Sequence, residues 1–157
     1  MTFAAAFVPG TVFGAALVGY GVFFRRAGIG FQHPAALVFY GLAALSGGLP
    51  AWLAAGSGSV GFLRALLPGV LSSALAALVY ALFVYVYNAH IDDGLLHEVR
   101  AHGLEKRRSQ GSLDANAEAR LTRLTQPAPF AASVFVSLTA AGALASLLSA
   151  LLLRWTA

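Results

Sequence analysis

The sequence has no cysteine, which excludes disulfides, thiolate metal sites and thiol nucleophiles. Charge is scarce as well. Charged residues make up 10% of the chain, against about a quarter in soluble domains. A water-soluble fold would have too little polar surface to cover itself. Most of the chain lacks acids, since all six lie between Asp92 and Glu118. Outside 92–123 the charges are Arg25, Arg26, Arg64 and Arg154 alone. No basic segment precedes the first apolar run. Arg25 and Arg26 follow it instead, so the run is not read as a cleaved signal peptide. The net excess of +4 is scattered, unlike the clustered basic face of a nucleic-acid binder.

Apolar sequence fills the rest, with 59% hydrophobic residues. A membrane helix needs about 20 mostly apolar residues to cross a hydrocarbon core of roughly 30 Å. Four uncharged runs have that length, at about 3–24, 35–55, 66–87 and 130–153. Helix is the expected form of each, because in lipid every backbone amide needs a partner within the segment. Barrel strands would be shorter and would alternate polar with apolar residues. The expected fold is an all-α integral membrane protein, one membrane domain over 1–157, with four transmembrane helices and a helical hairpin at 88–129.

Orientation follows from the basic residues. Arg25, Arg26, Arg100, Lys106, Arg107, Arg108, Arg120 and Arg123 share one side, against Arg64 and Arg154 on the other. The positive-inside rule puts the 88–129 loop in the cytoplasm and both termini outside. Trp52 and Trp155 then fall at the outer interface, and Tyr20, Phe24, Tyr85 and Tyr87 toward the inner one, levels that suit amphipathic rings.

Within the spans, small residues form faces. Ala6, Gly10, Gly14 and Gly21 share one side of the first span, a spacing that lets two helix backbones approach closely. Packing inside the same bundle is the preferred reading, and a dimer contact the alternative. In the last span Thr139, Gly142, Ser146 and Ser149 make a small face, expected to meet other helices. Leu144, Leu147, Leu148 and Leu151 make a bulky one, expected to face lipid. Ser46-Gly47-Gly48-Leu49-Pro50 is a break signal in the second span, since Pro50 cannot donate to the Ser46 carbonyl. A kink near a helix end is the preferred reading of such a break, and one wall of a transport site the alternative.

The hairpin is the most patterned part. Asp92 to Arg108 reads as a helix with Leu95, Leu96 and Val99 inward, and Ser112 is the expected N-cap of a second helix. Leu113, Ala117, Leu121 and Leu124 recur at helical spacing as its apolar stripe. Pro127 and Pro129 end it. Lys106, Arg107, Arg108, Leu113, Leu121 and Leu124 are the candidate contacts to a protein partner or to lipid headgroups.

These segments resemble a bacterial family of four-span membrane proteins, domain-of-unknown-function family 4199. Gly61-Phe62-x-x-Ala65-Leu66-x-x-Gly69 precedes the third span, which ends in Tyr85-Val86-Tyr87. Ile91-Asp92-Asp93-Gly94-Leu95-Leu96 then opens the charged stretch, with Asp93 where the family has proline. The resemblance covers roughly Val60 to Arg154, the first two spans agreeing in layout only. It implies an architecture and no activity.

Few residues suggest chemistry. His90, Asp93 and His97 share a face if the helix is continuous, and are weak candidates for a divalent metal site. A solvated interface is the plainer reading. His33 and His90 fall at one membrane level and raise the idea of axial haem ligation, although His33 precedes Pro34 at a loop boundary. The middles of the spans hold no acid, lysine or histidine, so no proton relay is expected. Gly28-Ile29-Gly30 reads as a turn too short for a nucleotide fingerprint. The expectation is a non-enzymatic protein without cofactor, a structural or accessory subunit or scaffold of a membrane assembly or homo-oligomer. A carrier or channel for a small neutral or lipid-like substrate is the alternative.

Overall fold

The computed structural model describes residues 4–27, 33–56, 62–112 and 114–156. Among them the chain forms six helices and no strand: α1 (Ala4–Arg26), α2 (His33–Gly56), α3 (Phe62–His90), α4 (Gly94–Ser109), α5 (Ala115–Leu124) and α6 (Pro127–Thr156). Four of these, α1, α2, α3 and α6, are long and apolar enough to cross a membrane. At about 1.5 Å per residue, the 29 residues of α3 span about 43 Å, well beyond a hydrocarbon core of roughly 30 Å.

By contacts the chain divides into two compact units, one of Met1–Tyr80 with Phe135–Ala157, the other of Ala81–Val134. The first unit is packed on small residues. Its buried apolar positions are mostly alanines, among them Ala43, Ala51, Ala54, Ala65, Ala76 and Ala77. Bulky side chains point the other way: Leu37, Leu45, Leu63, Leu144, Leu148 and Leu152 are all more than half exposed. Lipid is as apolar as leucine, so such helices gain by close packing of small residues, with the large ones left to the acyl chains.

Three contact levels hold the first unit. Gly47 of α2 lies against Gly142 and Ser146 of α6, and Gly69 of α3 against Gly47 and Ser146. One turn along, Gly142 lies against Ser73 of α3 and the Ala43 carbonyl of α2. Farther along α3, Phe39 of α2 sits between Tyr20 of α1 and Tyr80, with ring centroids 4.9 and 5.2 Å apart. The contacts run in opposite order on α2 and α3, so these helices are antiparallel. On α1, Gly10 meets Ser72 and Leu75, and Gly14 meets Ala76 and Val79. Both lists rise together, so α1 and α3 are parallel.

The Ser46–Pro50 signal does not end the second span. α2 runs without interruption from His33 to Gly56, with Pro50 inside it. Buried against its neighbours, Pro50 is held in helix by tertiary packing despite its missing donor.

In the second unit α3 ends where the amides of Ile91 and Asp92 both donate to the Tyr87 carbonyl, at 2.9 and 3.0 Å. The Asp92 carboxylate then accepts from the Gly94 amide at 2.8 Å, a side-chain turn that competes with helix. The helix expected from Asp92 therefore starts at Gly94. Gly111 closes α4 with φ of 65°, a conformation that costs glycine little. The Ser112 amide reaches back to the Arg107 carbonyl at 3.0 Å, the six-to-one bond of a glycine-terminated helix. Asp114, not Ser112, caps α5: its carboxylate accepts from the Ala117 amide at 2.6 Å. An ionised acceptor satisfies an orphan amide more strongly than a hydroxyl does. α4 and α5 meet where Leu121 lies against Gly103, and Leu96 and Ala117 are buried.

Candidate functional site

Two places concentrate the residues of interest: the small-residue crossing in the first unit and the α4–α5 segment in the second. At the crossing, α2 contributes Ser46 and Gly47, α3 contributes Gly69, Ser72 and Ser73, and α6 contributes Gly142 and Ser146. Ser46, Ser72, Ser73 and Ser146 are all buried. Three of their hydroxyls donate to carbonyls of their own helix: Ser46 to Ala43 at 2.7 Å, Ser73 to Val70 at 2.9 Å and Ser146 to Gly142 at 2.8 Å. These local bonds let a polar atom sit in an apolar interior without a partner on another helix. The Ser72 hydroxyl is different: no partner is found for it, nor for Thr139 Oγ1.

The crossing is tight because its glycines have no room for a side chain. A Cβ on Gly47 would fall on the Gly142 carbonyl, and one on Gly69 on the Gly47 carbonyl. A Cβ on Gly142 would meet Ser73 Cβ. Of the proposed packing residues, Gly142 and Ser146 lie in this crossing. Gly10 and Gly14 lie against α3, where a Cβ would stand 2.9 Å from the Ser72 carbonyl oxygen and 2.8 Å from Val79 Cβ respectively. Gly21 is half-buried on α1. Reading the sequence missed Gly47, Gly69 and Ser73. Gly47 was absorbed into the break signal, while Gly69-x-x-x-Ser73 carries the same small-residue spacing as Gly142-x-x-x-Ser146 and would have found them.

In the second unit, Lys106, Arg107 and Arg108 are exposed at the end of α4, where cations complement the helix dipole. Leu121 is half-buried against Gly103, and Leu124 is exposed, so the expected α5 stripe is only partly covered. Leu113 lies outside the described residues. Asn88, in the last turn of α3, is buried and donates to the Val84 carbonyl at 2.7 Å, while no partner is found for its amide oxygen.

The histidine readings do not gather a site. His90 ends α3 and His97 lies in α4, with the Asp92–Asp93 turn between them, so the continuous helix that would align them is absent. His97 Nε2 and Asp93 Oδ2 pair at 3.2 Å, with both side chains about 70% exposed. No cluster of three metal-ligating side chains occurs among the described residues. The His33 side chain and the Gly28–Gly30 turn lie outside what is described.

With this geometry in view, the family described as "Protein of unknown function (DUF4199)" matches residues 8–154. The chain belongs to this family. The match takes in α1 and α2 as well as the half that carried the sequence resemblance, so DUF4199 membership covers all four long apolar helices. No curated protein and no solved structure matches the chain.

Proposed function

We propose that this DUF4199 protein is a non-enzymatic accessory subunit or scaffold of a membrane assembly. In this reading it sits in a bacterial cytoplasmic membrane, with its termini outside and the α4–α5 segment in the cytoplasm. The observation that carries it is the backbone-on-backbone contact at Gly47, Gly69 and Gly142. A carrier works by rocking one group of helices against another around a site near the bilayer midplane. Helices that meet with no space for a methyl group resist that movement, because close-packed interiors yield little. The spans also carry no acid or lysine, the residues that mark ion and proton pathways. What such a protein offers its surroundings is the polar α4–α5 segment.

Native mass spectrometry of the protein, extracted gently from its own membrane, tests this reading. A second polypeptide, or a second copy, at fixed ratio is the expected result. A lone chain that retains a small molecule and moves it into liposomes, with uptake lost on Pro50→Leu, would replace the scaffold by a carrier. The orientation has its own test. Single cysteines from Ser109→Cys and Ala157→Cys should label from opposite sides of the membrane. Labelling of the Ser109→Cys protein from outside intact cells would overturn the topology.

A further inference from the structure

α5 covers one of its faces and leaves the opposite one open. Ala117 and Leu121 face inward, Leu121 against Gly103. On the other side of α5 Ala115, Ala119 and Thr122 follow one another at intervals of four and three residues, with Gln126 just beyond the helix end. That is the seam spacing of a heptad repeat. The seam floors a shallow depression of about 440 Å³, with Glu118 and Arg123 also lining it. Ala115, Ala119 and Gln126 are exposed, and Thr122 is half-exposed. Small seam residues allow a second helix to come close. The Thr122 hydroxyl already donates to the Glu118 carbonyl at 3.0 Å, so a covering helix would leave no orphaned group there.

The rims choose the occupant. With Ala119 at an a position and Ala115 and Thr122 at d, Glu118 takes g and Arg123 the following e. In a parallel two-stranded coil, each g side chain meets the next e side chain of the other strand, and such pairs set partner and direction. Glu118 of one copy would then meet Arg123 of the other, and the two-fold axis repeats the pair on the second rim. An antiparallel coil sets g beside g and e beside e, which would bring Glu118 to Glu118 and Arg123 to Arg123. The surface is self-complementary in the parallel sense alone, as an isologous contact requires.

We propose that this face pairs two copies of the chain in parallel through α5, with Glu118–Arg123 ion pairs along both rims. The proposal rests on reading the protein as part of a membrane assembly, and it names a second copy as the partner. Two copies inserted the same way in one bilayer are related by a two-fold axis along its normal, which makes the pair parallel where α5 runs along that normal. The ten residues of α5 give a contact about 15 Å long, too small to hold a dimer in water. Between copies already confined to one membrane, it sets register and direction.

Because the chain has no cysteine, single introduced cysteines report on their own. In native membranes under mild oxidation, Ala115→Cys and Ala119→Cys should each give a disulfide-linked dimer, and Arg120→Cys, off the seam, should not. On the Ala119→Cys background, E118R and R123E should each abolish the linked band. The double reversal E118R/R123E should restore it, which also shows that the reversed residues fold. Linkage at Ala119→Cys without linkage at Ala115→Cys would mean an antiparallel pair and overturn the proposal, as would bands that survive the single reversals. If no position links while native mass spectrometry shows a different polypeptide at fixed ratio, the self-pairing falls and the assembly reading stands. A chain that is alone by both measures defeats both.

Discussion

Replacing Gly142 with alanine adds one methyl group at the point where α2, α3 and α6 meet. The atoms nearest to it are Ser73 Cβ, and the Ala43 carbonyl oxygen and Ser73 Oγ, both at 2.9 Å. The hydroxyl can rotate away only by giving up its bond to the Val70 carbonyl. The other two are fixed to their backbones, so α6 must withdraw from both neighbours at once. Overpacking a filled core costs about 1–3 kcal/mol. The Gly142→Ala variant belongs at the upper end, about 3 kcal/mol, because withdrawal also loosens the contact of Gly47 of α2 with Gly142 and Ser146 on that face of α6. That is a large share of a stability of about 5–15 kcal/mol. Gly19→Ala is the matched control: no atom lies within 4 Å of its added carbon. There the better helix propensity of alanine should leave stability unchanged or raise it by up to about 1 kcal/mol. Unfolding in mixed micelles with a rising fraction of SDS, followed by circular dichroism, compares the two. If both variants unfold at the same SDS fraction, the crossing is not what holds the first unit together.

Three further outcomes follow from particular contacts. Gly10→Leu and Gly14→Leu should destabilise the protein even when it is diluted in detergent, because both positions meet α3 of the same chain; if only oligomer size changes, the intramolecular packing is wrong. Asp114→Ala should fray the start of α5, at a cost of about 1 kcal/mol, seen as faster hydrogen exchange at the Ala117 amide that the carboxylate now holds. Unchanged exchange would mean the cap is dispensable. Ser72→Ala should be neutral or stabilising, since it removes a buried hydroxyl for which no partner is found, whereas a buried unmet polar group costs about 1–3 kcal/mol; a loss of stability above about 1 kcal/mol would show that the hydroxyl is bonded in the membrane.

The helices were legible because the bilayer leaves the backbone little choice. Four uncharged runs of sufficient length correspond to α1, α2, α3 and α6, whose ends differ from the runs by a few residues. The division of α6 into a leucine side and a small side was also legible, since a 3.6-residue period separates Leu144 and Leu148 from Gly142 and Ser146. The failures share a cause. At Ser46–Pro50 the local glycine and proline signal does not show that Gly47 packs against α3 and α6 within an unbroken α2. At Asp92–Gly94 and at Ser112–Asp114, several side chains competed for the same backbone amides. Composition does not rank a carboxylate against a hydroxyl; the bond from Ala117 to Asp114 does. The outer face of α5 is not marked by hydrophobic periodicity, because its seam is built of alanine and threonine.

The three-way crossing also bears on how the protein is made. Gly47 and Gly69 come early in synthesis, but the surfaces that complete their contact, Gly142 and Ser146, belong to α6, the last of the six helices to be synthesised. At about 5–20 residues per second, α2 and α3 wait roughly 4 to 15 s in the membrane with glycine faces that nothing yet fills. During that interval the chain has the contacts among α1, α2 and α3, such as Gly10 and Gly14 against α3 and Phe39 between Tyr20 and Tyr80, but not the third side of the crossing. A ribosome stalled between α5 and α6 would leave three long apolar helices without the one that completes their crossing, which makes this stretch of translation the point at which quality-control proteases would have most to recognise.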